Sequence, residues 1–271
     1  MIILGIETSC DETSAAILEN HNVLSNVVRT QTIHTSFGGV VPALASKDHE
    51  KSIKGIVEKS INEAKLLISD IDIIAVTYGS GLLGSLIVGL NFAKGLSLAL
   101  GIPLVGVSHL KGHLSSSFIN KKSFKYPNIS LIVSGGHTQL WLVKNNMEFD
   151  VIGNTVDDAA GEAFDKVAKI LGLNYPGGKE IEIRAIKGNE KIFNLPKPMV
   201  DKNNFNFSFS GLKTSVNLIT KKNQLNDTFI NNMAASFQKT ISDIIFIKIE
   251  KIIKKLIKNN VKISSLSVVG G

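Results

Sequence analysis

Residues 128–143 read NISLIVSGGHTQLWLV, and the reading of this stretch decides the fold. Asn128–Val133 is a short apolar run bounded by turn residues, which predicts a buried strand. Ser134-Gly135-Gly136-His137 predicts a tight turn, and Thr138–Val143 a returning strand. The chain opens on the same pattern: Met1–Ile6 is an apolar strand, Glu7–Thr13 a polar turn, and Ser14–Leu18 a second strand. Near its other end Ser264–Val269 predicts a strand that runs into Gly270-Gly271. Turns that lack bulky side chains let backbone N–H groups approach phosphate oxygens closely and form anion-binding nests. One such turn is a weak signal, because most glycine turns are merely turns. An ordered set of three carries more.

Outward from these turns, apolar positions recur at helical spacing from Pro42 to Leu67, as at Ile53, Ile56, Val57 and Ile61. Polar loop residues are expected up to Pro42, then a strand over Ile71–Thr77, a helix over Gly84–Leu100 and a strand over Leu104–Val107. The first portion therefore reads β-β-α-β-α-β. In the second portion Asp157–Leu171 predicts a helix with Asp157 as N-cap and Gly172 as its left-handed stop. Tyr175-Pro176-Gly177-Gly178 predicts a turn, and Ser210–Ile219 and Ala234–Ile257 predict helices. Two phosphate turns facing each other across a cleft would grip a nucleotide, as in the actin, hexokinase and Hsp70 superfamily. The expected fold class is thus α/β, a duplicated actin-like (ribonuclease H-like) architecture with lobes over 1–107 and 108–271.

Composition bounds the function. A chain 44% hydrophobic and 20% charged is a folding composition rather than a disordered one. Its most apolar stretch, Leu82 to Val107, is broken by Asn91, Lys94 and Pro103, so no membrane span is expected there. No signal peptide is expected, since Met1 leads straight into Ile2-Ile3-Leu4 without a basic region. The single cysteine, Cys10, excludes an internal disulfide and fits a reducing cytosol, hence a cytoplasmic protein. A net charge of +7 invites a nucleic-acid partner. Against that, only Arg29 and Arg184 are arginines among 30 basic residues, and a bias towards Lys, Asn and Ile would raise the pI with no selected patch.

His109 and His113, in His109-Leu110-Lys111-Gly112-His113, sit four apart just after a strand. At that spacing both imidazoles leave one face of a helix and can share a metal, or can simply be solvated. A zinc peptidase would need Glu directly after the first histidine, where this chain has Leu110. Asp158, Glu162 and Asp165 form an acidic stripe that reads as a solvated face or, beside phosphate turns, as a ribose contact. Cys10 reads as a small buried residue rather than a nucleophile. Asp11 and Glu12 are acid/base candidates or plain turn residues.

With these residues assembled, the chain resembles the TsaD family, the universal tRNA N6-adenosine threonylcarbamoyltransferases. The resemblance rests on residues 5–13 (GIETSCDET), 109–113 (HLKGH), 133–140 (VSGGHTQL), 157–166 (DDAAGEAFDK), 175–178 (YPGG) and 207–214 (FSFSGLKT), in order and across essentially the whole chain. It implies transfer of a threonylcarbamoyl group from threonylcarbamoyl-adenylate to N6 of adenosine 37 in tRNAs reading codons that begin with A, with release of AMP. It implies one divalent metal, iron or else zinc, on His109 and His113. It assigns donor contacts to Ile132, Val133, Ser134, Gly135, Gly136, Asp165 and Gly178, and assigns no catalytic base. The implied partners are tRNA, the donor, a paralogous TsaB-type subunit and a TsaE-type ATPase, with no membrane. Three departures stand out. Lys111 occupies a position where the family commonly has Glu, and Lys179 and Ser80 stand where it often has Pro. The family also continues past Gly270-Gly271 with an Asn at the nucleotide, further strands and an Asp metal ligand, so the last strands and part of both sites are expected to be missing from the sequence as given. The alternatives are a non-catalytic remnant of the family and an actin-superfamily phosphotransferase, which would leave the histidine pair unexplained.

Overall fold

The structure is a computed structural model that describes residues 1–119, 125–145 and 148–270; Gly271, half of the third expected turn, lies outside them. The chain divides into two compact units, Met1–Ser123 and Phe124–Gly271. The division falls there rather than after residue 107, because the helix that follows the fifth strand packs on the fourth and fifth strands.

The first unit runs β1 (Ile2–Glu7), β2 (Glu12–Glu19), β3 (Asn22–Thr30), α1 (Pro42–Glu63), β4 (Ile73–Gly79), α2 (Leu83–Leu100), β5 (Leu104–Ser108) and α3 (His109–Ser116). Its sheet has the order β3-β2-β1-β4-β5, with β1 antiparallel to β2 and parallel to β4. Strand alternation sends Leu4 and Ile6 to one face, where they meet Ile53 and Val57 of α1, Ile74 and Val76 of β4, and Ala93 of α2. β3 corrects the expectation of a polar loop up to Pro42. It is an edge strand that buries only Ser25 and Val27, and Ser25 is buried because its hydroxyl meets Ser60 of α1. Among the described residues α2 is the one helix long and apolar enough to cross a bilayer. Here it lies against α1 and β4, and its Gly89 meets Thr8, where an added Cβ would come within 2.3 Å of the hydroxyl.

The second unit repeats the plan: β6 (Asn128–Val133), β7 (Thr138–Val143), β8 (Phe149–Asn154), α4 (Ala160–Ile170), α5 (Gly177–Ala185), α6 (Ser210–Thr220), α7 (Asp227–Lys258) and β9 (Ser265–Val269). The sheet order is β8-β7-β6-β9, again an antiparallel meander with a parallel strand beside its first member. A polar ladder fixes the register of β9. The Asn128 amide donates to Ser265 Oγ at 2.9 Å, and the hydroxyls of Ser130 and Ser267 donate to Asn128 Oδ1. The core gathers Val167 of α4, Phe207, Phe209, Leu212 and Val216 around α6, and Met233, Phe237 and Ile241 of α7.

Three local expectations are corrected in this unit. β8, another edge strand, was not anticipated. The Tyr175–Gly178 turn leads into the helix α5. Helix α4 starts at Ala160, with Ala159 as its N-cap, and Asp157 serves a different helix. Its Oδ1 accepts the backbone N–H groups of Phe209 (2.8 Å) and Ser210 (3.3 Å), and its Oδ2 the hydroxyl of Ser210 at 2.7 Å. A residue more than fifty positions away thus caps α6, whose own N-cap Phe209 has no side chain able to do so. Gly172 does end α4 in the left-handed region, at φ 72°.

Candidate functional site

In the first unit β5 ends at Ser108 and α3 starts at His109, which brings the imidazoles of His109 and His113 together on one side of a short helix. Their rings meet edge to face at 4.5 Å, and the two Nε2 atoms are 3.1 Å apart. The opposite nitrogen of His109, Nδ1, lies 3.3 Å from Glu7 Oε2 and 3.1 Å from Ser9 Oγ. Glu7 ends β1, so sheet pairing with β4 delivers its carboxylate to Thr77, whose hydroxyl donates to Oε2. The Ser9 backbone N–H donates to the other oxygen. Burial pushes the Glu7 pKa up, but the hydrogen bonds from His109, Ser9 and Thr77 outweigh it and hold the carboxyl at about 2. With Nδ1–H donated to an ionised Glu7, the His109 ring would present its Nε2 lone pair towards His113. A carboxylate behind a histidine is the usual arrangement at a metal ligand.

The geometry permits a test of metal fit. Two imidazole nitrogens each about 2.1 Å from one ion, at 90–110° to one another, stand roughly 3.0–3.4 Å apart. The observed 3.1 Å lies within that range. The pair therefore fits two ligand positions of one first-row divalent ion. Among the described residues no group of three or more His, Cys, Asp and Glu that could hold a metal ion gathers at one point, so the fit extends to two side chains.

Cys10 corrects an expectation: it is exposed rather than buried. Partial desolvation and the neighbouring Asp11 carboxylate push its thiol up to about 12, so it is no thiolate nucleophile. His49, which the sequence did not single out, is fully buried. It bonds the Thr13 hydroxyl through Nδ1 (2.8 Å) and the Cys10 carbonyl through Nε2 (3.0 Å), pinning the turn that follows Glu7 and Ser9.

In the second unit the β6–β7 turn closes on itself, with Ser134 N–H donating to the His137 carbonyl at 2.8 Å. Gly135 and Gly136 are exposed at its tip. The turn rests on the start of α4, where Gly161 N–H donates to the Ser134 carbonyl at 3.3 Å. A Cβ on Gly161 would fall 2.7 Å from that oxygen and 2.9 Å from Gly135. Asp165 follows Gly161 by one helical turn and accepts Gly177 N–H at 2.7 Å, which ties the start of α5 to α4. Gly178 is the next residue. Of the expected donor contacts, Ser134 and Gly135 thus meet α4 at Gly161, one turn before Asp165, and Gly136 is exposed at the tip, while Ile132 is buried in β6 and Val133 half-buried beside the turn. Gly270 lies against Val133, where an added Cβ would clash with the carbonyl at 1.9 Å. The acidic stripe is not simply solvated: Lys166 bridges Asp158 (2.6 Å) and Glu162 (2.8 Å), and Asp165 holds the Gly177 N–H through Oδ1.

A family model described as "TsaD: tRNA N6-adenosine threonylcarbamoyltransferase" matches residues 22–271. The chain belongs to the TsaD family. It is 52% identical over 262 residues to the tRNA N6-adenosine threonylcarbamoyltransferase of Thermosipho africanus, covering 96% of this chain and 79% of that relative. With the enzyme of the same description from Clostridium botulinum it shares 46% over 273 residues, 99% of this chain and 79% of the relative. TsaD membership makes the chain an enzyme of the transferase class that acts on tRNA. Among solved structures it is similar to the (R)-2-hydroxyglutaryl-CoA dehydratase component A of Acidaminococcus fermentans, with a TM-score of 0.54, 14% identity, and coverage of 100% of this chain and 82% of the other. At that identity the likeness shows the fold, which is actin-like α/β.

Proposed function

We propose that the chain moves a threonylcarbamoyl group from threonylcarbamoyl-adenylate to N6 of adenosine 37 in tRNAs that read codons beginning with A. The adenine amine forms a bond to the carbamoyl carbon, the bond from that carbon to the phosphate oxygen breaks, AMP leaves, and the amine loses a proton. His109 and His113 hold a divalent metal, iron or else zinc, through their Nε2 atoms. When bound there it supplies a Lewis acid for the donor's carbamoyl group. Glu7 keeps the His109 ring in the tautomer and orientation that ligation needs. Ser134, Gly135 and Gly136 offer backbone N–H groups to negative charge on the donor, next to Ile132 and Val133, and Asp165 and Gly178 contact its nucleotide side. A TsaB-type subunit and a TsaE-type ATPase complete the working assembly.

The observation that carries this reading is the convergence of two Nε2 atoms at 3.1 Å, backed by a carboxylate, in a chain of this family. The test supplies the full chain and the two partner proteins with iron(II), donor and an unmodified tRNA transcript, and measures AMP release and transfer of labelled threonine to the tRNA. Stoichiometric AMP and labelled tRNA are expected from wild type, with at least a hundred-fold loss in His109→Ala and His113→Ala. Equal transfer by wild type and both variants would overturn the role of the pair.

A further inference from the structure

The excess positive charge is confined to one unit. Residues 1–123 carry ten basic and ten acidic side chains, whereas 124–271 carry twenty basic and thirteen acidic. Within the second unit it gathers at one end: residues 251–271 hold Lys251, Lys254, Lys255, Lys258 and Lys262 and no Asp or Glu. A compositional bias would raise lysine everywhere, and it does not explain this distribution. Four of the five lie on the last two and a half turns of α7, over about 10 Å of helix, and Lys262 follows in the segment leading to β9. Lys254, Lys255, Lys258 and Lys262 are exposed, Lys254 in a surface ion pair with Glu250 one turn earlier at 2.8 Å. The Lys255 ammonium stands 5.1 Å over the Phe205 ring. Beside it Ile152, Phe205, Ile252, Leu256 and Asn259 line a small apolar hollow of about 120 Å³.

We infer that the C-terminal turns of α7, with Lys262, form a phosphate-binding surface for the RNA substrate. The inference rests on the reading of tRNA as substrate. A bilayer is a poor partner for this helix, because a membrane-surface helix must offer a continuous free apolar face. That of α7 (Phe237, Ile241, Ile244, Ile252) is spent in the core, and its exposed large hydrophobics, Phe246 and Ile257, stand about three turns apart. Lysines without arginine suit sequence-independent contact with the backbone rather than bidentate base readout.

The test measures binding of the full chain to an unmodified tRNA transcript by fluorescence anisotropy from 50 to 300 mM KCl, without donor. The variant is K254Q/K258Q/K262Q, since Gln matches Lys in helix propensity and leaves Lys251 on the Val200 carbonyl and Lys255 over Phe205. The control is K54Q/K59Q on the solvated face of α1. The slope of log affinity against log salt should fall by about two to three in the variant, at roughly 0.7–0.9 per phosphate, with at least a ten-fold weaker affinity at 100 mM. The control should stay within two-fold of wild type. Circular dichroism and thermal melting of both should match wild type. A wild type that binds and modifies tRNA beside a variant with unchanged slope overturns this surface alone. A wild type that binds no tRNA overturns the surface and the substrate reading together. Loss of binding to vesicles of anionic lipid in the variant, with tRNA binding unaltered, overturns the choice of RNA.

Discussion

At the scale of single residues the histidine pair was legible and its support was not. Spacing alone presents His109 and His113 on one helical face, and α3 does bring their Nε2 atoms together. Glu7 reads as the first residue of a polar turn, and nothing local ties it to a histidine 102 residues later; only the pairing of β1 with β4, and β4 with β5, carries it there. Its role can be separated from its shape. Glu7→Gln keeps the size and an acceptor oxygen but removes the charge behind His109, so zinc affinity, read by competition with a chelating dye, should fall about 10–100-fold. Unchanged affinity would show that the carboxylate contributes nothing to ligation. Cys10 was misread because a lone cysteine is most often buried, whereas this one tops an exposed turn beside Asp11.

At the scale of elements the strands with continuous apolar runs were readable, β6 and β7 to the residue. The edge strands β3 and β8 were not, because an edge buries few side chains and its polar members find partners that only the folded chain supplies, as Ser25 does at Ser60. Asp157 shows the same limit: it looks like a cap for the helix that follows, and caps α6 instead. Asp157→Ala should destabilise the protein by about 1 kcal/mol in urea unfolding at pH 7. The pH dependence has a definite sign. Burial raises the Asp157 pKa, but bonds from Ser208, Phe209 and Ser210 lower it further, below the ordinary carboxylate value. The stability it adds is therefore fully present above that ordinary value, about 4, and is lost as pH falls through the depressed one. The gap between wild type and variant should be constant from pH 5 to 7 and close in more acid solution; a gap that widens in acid would contradict the assignment. Gly161→Ala tests how closely the β6–β7 turn seats on α4. Its Cβ would press on backbone atoms of Ser134 and Gly135, which cannot rotate away, so a loss of about 1–3 kcal/mol is expected in the same measurement. A neutral or stabilising result, as helix propensity alone would give, would show that the turn yields.

At the scale of the whole molecule the duplication was visible as a repeated strand–turn–strand, and it holds in a fuller form than the repeat suggested. Each unit contains a three-stranded antiparallel meander with a parallel fourth strand beside its first, and the first unit adds β5 at that edge. Net charge was legible as a total but not as a place, since the neutral first unit and the basic second become distinct only once the division is known. The glycine turns alone would suit a phosphotransferase as well as an acyl-type transferase; the histidine pair favours the second, and the product decides between them. The most direct measurement is nucleoside mass spectrometry of position 37 in a substrate tRNA after reaction with the full chain, donor, iron(II) and the two partner proteins. A threonylcarbamoyl mass increment on adenosine 37, absent with a transcript carrying guanosine there and absent with His109→Ala, is the expected result. An unmodified adenosine 37 with every component present, or a modification that survives loss of His109, would contradict it.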